Sequence, residues 1–356
     1  MSRGQKHGYH HAMKLESALH QTLALDIGGA NIKACYTDHT GVLHAFSQPF
    51  LLSHHVDELV EALNGVVQRC PQVPQQWLVT MTGELCDCFE NRKQGVHAIL
   101  DAVSTVAGQV PVRIWSTTDG FVDMQYAREN SLAIASANWH ALASCLGRLH
   151  ADQRLILIDT GSTTTDIIPV IHGHVATQGK TDAARLVHHE LVYLGGSLTP
   201  LMALSGHMQG QLMNEFFATM HDLAVVMGAC PQELDSVDSP DGMPYDLPSS
   251  LRRILRMFGE DLNVDWQLAD HAQVIESLLD AATGMIQFAF NHVVNRHQSI
   301  DVVLIGGSGS WLPCQMLGRM ENPFAVRMLQ TLWGEGMSTC ACARALIALA
   351  CETNGK

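Results

Sequence analysis

Two short acidic turns stand out in the amino-acid sequence. One is Asp26-Ile27-Gly28-Gly29, and the other begins at Asp159 and reaches Asp166 through a glycine, a serine and three threonines. Each follows an apolar run of the kind that forms a buried strand. Glycine permits positive φ and a close backbone approach, so such turns can point several amide groups at one anion. We therefore predict that both turns bind phosphate.

A third glycine-rich turn, GGSG, follows the apolar run that starts at Val302. Hydroxyl groups in the second turn, and a lysine seven residues after Asp26, can add further donors to phosphate oxygens. The predicted phosphate-binding residues are Gly28, Gly29, Asn31, Lys33, Gly161, Ser162, Thr163, Thr164, Thr165, Gly306, Gly307, Ser308 and Gly309. Ordinary hairpin turns are the alternative, because Asp, Gly and Thr favour turns in general. Two turns at matching positions, joined by a third, favour phosphate binding.

The carboxylates of these turns need a separate explanation, because they would repel a phosphate. Asp26, Asp159 and Asp166 make sense if they hold Mg²⁺ or exchange a proton, so we predict them as metal ligands and as catalytic residues. Glu84, at the end of a predicted strand, is the fourth catalytic candidate, as a base or as an amine-binding group. A carboxylate that starts a helix is the alternative for Glu84.

Four further polar residues are predicted to bind substrate. Asn138 and His140 could line a pocket for an aromatic substrate, although a buried histidine on a helix would give the same pattern. Asp182 and Arg185 follow the second acidic turn. Arg185 could bind a carboxylate or a phosphate, or it could pair with Asp182, and the sequence does not choose between these roles.

The elements that must position these residues form a repeat. A strand, an acidic turn, a strand, a second turn and a strand occur twice, with fifteen positions from Asp26 to Gly41 and fourteen from Asp159 to Gly173. The repeat predicts a duplicated α/β fold, and 356 residues are enough for two domains. Helices are predicted at about residues 56–70, 95–107, 210–228, 270–296 and 338–351.

The predicted domains follow from this repeat. Residues 1–21 are expected to be a disordered leader, and 22–150 the first domain. Residues 151–335 are expected to form the second domain, with a helical insertion at about 200–300. Residues 336–356 are predicted to form a C-terminal helix.

Composition narrows the class of protein. Hydrophobic residues make up 47% of the chain and charged residues 16%, which is typical of a globular protein. The net charge of −14 argues against nucleic acid or an anionic membrane as a partner. Ten cysteines without a CxxC pair, and no secretory signal, predict reduced thiols in a cytoplasmic protein. Walker and Rossmann patterns are absent from the sequence, and a homo-oligomer is left open.

The three turns resemble the phosphate and adenosine motifs of the sugar kinase, Hsp70 and actin superfamily. More narrowly, the chain resembles hydantoinase/oxoprolinase-like proteins linked to tetrahydromethanopterin (H4MPT) one-carbon transfer. The matching segments are LDIGGANIKA, MTGELCDCFENRKQGV, ASANWHALA, IDTGSTTTDIIP, TDAARLVHHELVYLGGSLTP, FFATMHDL and LIGGSGSWL. The resemblance implies an actin-like, ribonuclease H-like duplicated fold, with two domains around a central cleft.

The resemblance also implies an activity. Relatives in this family are ether-forming transferases of methanofuran or methylofuran biosynthesis. They join an aminomethyl-furanylmethyl diphosphate to the phenol of a glutamyl-tyramine or tyrosine-type substrate and release pyrophosphate. The implied partners are therefore a small-molecule diphosphate and a phenolic amine, with Mg²⁺ as cofactor and no need for ATP. An ATP-dependent small-molecule kinase, a hydantoinase/oxoprolinase-like hydrolase and a non-catalytic nucleotide sensor remain the alternatives.

Three positions depart from the family pattern. The segment HHELVYLGGSLTP usually has glycine before the glutamate and arginine before Thr-Pro, where this chain has His189 and Leu198. If that arginine contacts substrate, the tail of the substrate differs here. Asn31 stands where a histidine is common, which keeps a hydrogen-bonding side chain.

Overall fold

The computed structural model describes residues 19–208, 211–297, 299–321 and 323–353. The predicted leader, residues 1–21, lies outside these ranges except for its last three residues. Of those three, Leu19 is buried in a hydrophobic cluster.

The first half of the chain forms a six-stranded mixed sheet. Its strands are β1 (Thr22–Ile27), β2 (Asn31–Thr37), β3 (Leu43–Pro49), β4 (Gln76–Met81), β5 (Val112–Ser116) and β6 (Gly120–Val122). Their spatial order is β3-β2-β1-β4-β5-β6. The pairs β1–β4 and β4–β5 are parallel, and the other neighbours are antiparallel.

The second half repeats this arrangement. Its strands are β7 (Arg154–Thr160), β8 (Thr165–Ile171), β9 (His174–Val175), β10 (Leu191–Val192), β11 (Val302–Gly306) and β12 (Ala325–Met328). Their order is β10-β8-β7-β11-β12, and β9 pairs with β8. The run β8-β7-β11-β12 has the order and directions of β2-β1-β4-β5. The predicted duplicated α/β fold is therefore confirmed, although β9 is much shorter than its counterpart β3.

Helices cover both sheets. They are α1 (Leu59–Gln68), α2 (Arg92–Ala107), α3 (Met124–Glu129), α4 (Ser131–Ile134), α5 (Asn138–Leu149), α6 (Asp182–Val187), α7 (Met220–Val226), α8 (Leu247–Arg256), α9 (Ala272–Asn295), α10 (Trp311–Gly318), α11 (Leu329–Trp333), α12 (Glu335–Thr339) and α13 (Ala341–Thr353). Short 3₁₀ helices occupy Val56–Glu58, Gly83–Leu85, Leu201–His207 and Leu268–His271. Within the described ranges, no helix is both long and apolar enough to span a membrane.

Most predicted helices are found close to their expected positions, and the exceptions lie in the helical insertion. The helix expected at about 210–228 forms only from Met220. Helix α8 was not predicted, because its first turn contains a proline and two serines. Proline is tolerated in a first helical turn, and Asp246 caps this one by accepting a 2.7 Å hydrogen bond from the Ser249 amide.

Two helices lie between the sheets. Helix α5 packs against β7, β8 and β9, and α13 packs against α5 and against β1, β2 and β4. Together with the facing sides of both sheets they form one central hydrophobic cluster. The C-terminal helix therefore returns to the first half of the chain and helps to join the halves.

Strand alternation decides which side chains face this central layer. Successive side chains of a strand point to opposite faces of the sheet. In β1, Leu23, Leu25 and Ile27 pack on the outer side, while Ala24 packs in the central cluster. Asp26 is two residues after Ala24 in the same strand, so its carboxylate points to the same face of the sheet, towards the central layer. The same reasoning places Lys33, Asp159 and Asp166 on that side.

Candidate active site

The two acidic turns are closed in the same way. The amide of Gly28 donates to the carbonyl of Asn31 at 3.0 Å, and the amide of Gly161 donates to that of Thr164 at 2.8 Å. Directly across each hairpin, Asp26 lies opposite Lys33, whereas Asp159 lies opposite Asp166. The turns are thus equivalent, but one carries a lysine where the other carries a carboxylate.

The carbonyl groups of both turns are bound by neighbouring loops. Gly29 and Ala30 accept from the amides of Leu52 and Phe50. In the second turn, the Ser162 carbonyl accepts from the amides of Ser197 and Leu198.

The amides on the other side of the second turn remain available. Among the described residues, those of Ser162, Thr163 and Thr164 have no acceptor. They are donors of the kind that an anion would need, and phosphate binding at this turn stays a prediction.

Thr165 is a correction to the predicted phosphate-binding set. Its hydroxyl donates to the carbonyl of Leu194 at 2.7 Å and lies 3.2 Å from the Thr160 hydroxyl oxygen. The side chain is fully buried. Thr165 therefore holds the hairpin to the neighbouring chain and has no donor left for a phosphate.

The third turn, Gly306–Gly309, packs against the second. The amide of Gly309 donates to the carbonyl of Thr160 at 2.8 Å. Gly307 has φ +87°, and a Cβ at this position would lie 2.0 Å from the same carbonyl oxygen. A Cβ on Gly306 would lie 3.1 Å from Asp159 Oδ1. The glycines are thus required for this close approach, which brings the third turn beside the Asp159 carboxylate.

Asp26 is a buried carboxylate with one unsatisfied oxygen. Its Oδ1 has no hydrogen-bond partner among the described residues. Burial raises the pKa of Asp26, while Lys33 and hydrogen bonds from Asn138 and Cys342 oppose that rise. Burial in turn lowers the pKa of Lys33, but Asp26 and, with smaller effects, Cys342, Asp159 and Cys340 together outweigh it, so the lysine pKa is raised and Lys33 stays charged.

The pKa of Asp159 lies near neutral pH. Burial, then the facing Asp166 and finally Asp26 raise its pKa to about 7, against the opposing charge of Lys33. A carboxyl group with such a pKa can both hold and release a proton under physiological conditions.

Asp166 is committed to an ion pair. Its carboxylate binds the guanidinium of Arg185, which is only 1% exposed and lies 4.1 Å from the centre of the Trp139 ring. Arg185 also lies 3.7 Å from Asp182, so the predicted pairing with Asp182 is present together with one to Asp166. Burial raises the pKa of Asp166, and Arg185 opposes it.

The geometry of the described residues bears on which of the predicted ligands could hold a metal ion. No three or more His, Cys, Asp or Glu side chains in the described parts of the chain are grouped to hold a metal ion. Asp166 is paired with Arg185, so its role as a metal ligand stays a prediction. The unpartnered buried oxygen of Asp26 fits a cation that also binds substrate phosphates, because Mg²⁺ commonly takes only one or two carboxylates in such sites.

A second acidic group lies beside this centre and joins the two halves. Glu84 from the 3₁₀ helix Gly83–Leu85 accepts a 2.9 Å hydrogen bond from the Ser136 hydroxyl, which also lies 3.4 Å from Asp182. Arg92 pairs with Asp182 at 2.8 Å. Burial raises the pKa of Glu84 to about 7, Ser136 opposes the rise, and Asp182 adds to it.

Asn138 and His140 have different surroundings. Asn138 reaches the carboxylate of Asp26. His140 accepts a 3.2 Å hydrogen bond at Nδ1 from the indole of Trp115, so its proton is on Nε2. Burial, followed by Lys180 and Arg185, lowers the pKa of His140 to about 4. His140 is therefore a neutral member of an aromatic cluster.

The sequence was compared with models of known families. Residues 78–347 match the model described as Hydantoinase/oxoprolinase. The chain belongs to the hydantoinase/oxoprolinase family. This confirms the family that the sequence motifs indicate.

Two proteins similar to this hydantoinase/oxoprolinase-family chain carry the same name, (4-{4-[2-(gamma-L-glutamylamino)ethyl]phenoxymethyl}furan-2-yl)methanamine synthase. The one from Methanocaldococcus jannaschii is 31% identical over 293 residues, which cover 80% of this chain and 85% of that protein. The one from Methanococcus vannielii is 41% identical over 117 residues, which cover 32% of this chain and 52% of that protein.

Solved structures of similar fold are more distant. Component A of (R)-2-hydroxyglutaryl-CoA dehydratase from Acidaminococcus fermentans is 11% identical, with a TM-score of 0.48, and covers 94% of this chain and 99% of its own. The inorganic polyphosphate/ATP-glucomannokinase from Arthrobacter sp. strain KM is 13% identical, with a TM-score of 0.45, and covers 94% and 98%. These scores are too low to carry an argument about this family member.

One departure from the family pattern now has a structural setting. His189, where the family usually has glycine, has φ +57°, in the left-handed region that glycine adopts most readily. Its ring packs against His292 and Phe288, with centroids 4.4 and 5.2 Å away. Leu198, where arginine is usual, is half-exposed, and its amide donates to the second acidic turn.

Several site residues of this family member were not found by sequence reasoning. Ser136, Arg92 and Tyr193 lie inside the family-matching segments, but no spacing or residue type singled them out there. They reach the acidic group only through folding. Ser136 has φ +50°, a backbone conformation that residues other than glycine rarely adopt. The sequence around Ser136 does not indicate this conformation.

Proposed function

We propose that this chain is an ether-forming transferase of methanofuran or methylofuran biosynthesis, in support of tetrahydromethanopterin-linked one-carbon metabolism. Its substrates in this proposal are an aminomethyl-furanylmethyl diphosphate and a glutamyl-tyramine or tyrosine-type phenol. The observation that carries the proposal is the second acidic turn: three of its amides have no acceptor among the described residues, and its Asp159 has a pKa of about 7 and interacts with the charge of Lys33. The name of the M. jannaschii relative supports it, because a phenoxymethyl-furan contains the ether in question.

The proposed reaction balances without an oxidant or ATP. The bond between the furanylmethyl carbon and the diphosphate oxygen breaks, and its electron pair leaves on pyrophosphate. The phenol oxygen forms the new bond to that carbon, and the phenol proton passes to a base. The furan ring stabilises positive charge on the carbon, so the departure of the diphosphate is the step that benefits most from electrostatic help.

Each group of the cleft has a role in this proposal. The amides of Ser162, Thr163 and Thr164 bind diphosphate oxygens, and the ammonium of Lys33 neutralises charge on them. The carboxylate of Asp159 takes the phenol proton, because its pKa of about 7 leaves about half of it ionised at neutral pH and lets it hold a proton. Asp166 forms an ion pair with Arg185, so Asp159 is the carboxylate of that hairpin that is available as a base.

We propose Mg²⁺ as the cofactor, with Asp26 as its protein ligand. When bound, Mg²⁺ would withdraw negative charge from the diphosphate. Asp26 supplies a buried oxygen without a partner among the described residues, and the charge of Lys33 opposes the rise in pKa that burial causes at Asp26. ATP is not consumed in this proposal, although the third turn retains the form of a nucleotide motif.

The remaining aspects of the proposal concern location and assembly. We propose a cytoplasmic enzyme with small-molecule substrates and no nucleic-acid partner, in line with the net charge of −14. Light scattering would show whether the protein forms a homo-oligomer.

One assay separates the proposed function from its alternatives. The protein is incubated with Mg²⁺ and either ATP or the furanylmethyl diphosphate, each with and without tyramine. Pyrophosphate release that requires the phenol, with an ether product found by mass spectrometry, supports the transferase. ADP formation that does not require the phenol would support the kinase or hydrolase and overturn the proposal.

A further inference from the structure

A buried pair of carboxyl groups lies beside the cleft without a role in the reaction proposed above. Glu84 comes from the first half of the chain and Asp182 from the second. One hydroxyl, that of Ser136, lies within hydrogen-bond distance of both. Glu84 is 1% exposed and Asp182 is 6% exposed.

The pair contains an oxygen that lacks a donor. Glu84 Oε2 is buried and has no hydrogen-bond partner among the described residues. A buried carboxylate oxygen without a donor is unfavourable, so its presence in a folded protein calls for an explanation. The alternative role as a helix-starting carboxylate does not supply one, because the 3₁₀ helix here has only three residues and no side-chain cap.

The charges around the pair are unequal. Three carboxyl groups, those of Glu84, Asp182 and Asp166, lie in one chain of contacts. Two guanidinium groups pair with them: Arg92 with Asp182, and Arg185 with Asp182 and Asp166. When all three carboxyl groups are ionised, one negative charge is left without a cation. A single positive group of a ligand would balance it.

We propose that Glu84 and Asp182 form a subsite for a primary ammonium group of the substrate. This inference rests on the proposed function, in which the furan carries an aminomethyl group, and the relative's product is likewise a methanamine. A compact ammonium has three donors, enough for Glu84 Oε2, an Asp182 oxygen and one further acceptor.

The surroundings of the subsite suit a small group. Helix α2 packs closely on Glu84, since a Cβ on Gly95 would lie 2.6 Å from the Glu84 carbonyl oxygen. The half-exposed Tyr193 lies near Asp182, Arg92 and Glu84. The proposed subsite therefore selects the furan amine by charge, while the two acidic turns bind the diphosphate.

The test compares two probes and two variants. The probes are the alcohol of the aminomethyl furan and its analogue with methyl in place of aminomethyl, and calorimetry measures the binding of each. Glu84→Gln keeps the shape and the acceptor for Ser136 but removes the charge. Asp101→Asn, on the exposed surface where Asp101 pairs with Arg128, is the matched control.

The wild-type protein and the control are expected to bind the amine about 10- to 100-fold more tightly than the methyl analogue. In Glu84→Gln this preference is lost, while affinity for the methyl analogue is unchanged. Equal affinities in the wild type would overturn the proposal, as would an equal fall for both probes in the variant. Thermal unfolding shows that each variant is folded.

The same probes, as diphosphates in the pyrophosphate assay, separate this proposal from the proposed function. Pyrophosphate release from both diphosphates at equal rates would contradict the proposed subsite but not the proposed transferase activity. Tighter binding of the amine than of the methyl analogue, without any phenol-dependent pyrophosphate release, would support the subsite but contradict the proposed transferase activity.

Discussion

At the scale of single residues, the two acidic turns differ through their cross-strand partners. Asp26 faces a lysine, and Asp159 faces Asp166. Burial raises the pKa of both carboxyl groups, but the facing lysine opposes the rise at Asp26, whereas the facing carboxylate adds to it at Asp159. Two residues that look alike in the sequence are therefore suited to different tasks, a cation in one case and a proton in the other.

Asp159→Asn tests the assignment of the proton. A base must be ionised to act, so kcat/KM of the wild type is expected to rise with pH through about 7. In Asp159→Asn the rate should fall by about 10²- to 10⁴-fold and this acid limb should disappear. Steady-state pyrophosphate release between pH 5 and 9 measures both effects.

Asp26→Asn is the companion variant. It is expected to keep the acid limb but to need more Mg²⁺ for half-maximal rate, because it loses the proposed ligand. An acid limb that survives in Asp159→Asn would place the base elsewhere.

Glu84 gives a prediction about stability. Burial raises its pKa to about 7 from an ordinary value of 4.5, so the folded state binds the proton more tightly than the unfolded state does. Stability is therefore lost as pH rises between those values. Glu84→Gln should be more stable than wild type at pH 8 by about 1–3 kcal/mol, with little gain at pH 4.5. Urea unfolding at both pH values measures this, and a gain that does not depend on pH would contradict it.

At the scale of elements, the turns depend on glycines that let backbones touch. Gly307 and Gly228 both have positive φ, but only the first is crowded: a Cβ would meet Thr160 O at 2.0 Å, whereas nothing lies within 4 Å of one at Gly228. Gly307→Ala should therefore lose about 2–4 kcal/mol of stability, and the control Gly228→Ala about 1 kcal/mol. Chemical denaturation of both variants measures the difference, and equal losses would show that crowding is unimportant.

The sequence predicts these elements well because their signals are local. Alternating and apolar runs with turn residues between them indicate β1, β2, β7 and β8 and the acidic turns. Contacts between distant segments have no such signal. That is why Thr165 was assigned to phosphate although Leu194 takes its hydroxyl, and why the link of Ser136 to Glu84 was missed.

At the scale of the whole molecule, a small set of polar contacts among Arg92, Ser136, Glu84 and Asp182 links the two halves of the chain. Arg92 starts helix α2 in the first half, and its partner Asp182 starts α6 in the second. Ser136 lies between them and contacts carboxyl groups from both halves. The central helices α5 and α13 join the halves elsewhere by apolar packing. The polar contacts are therefore the ones that can break while the core remains intact.

Arg92→Gln is expected to loosen the cleft without unfolding the protein. The loss in stability should be about 1 kcal/mol or less, because Arg92 is about one-third exposed and solvent screens the pair. Amide exchange should become faster at the start of α2 and in α6, and KM for the diphosphate should rise. Arg128→Gln is the control, because its ion pair with Asp101 stays within the first half. If both variants exchange alike at α6, the Arg92–Asp182 pair does not hold the halves together, and closure depends on the apolar layer between the sheets.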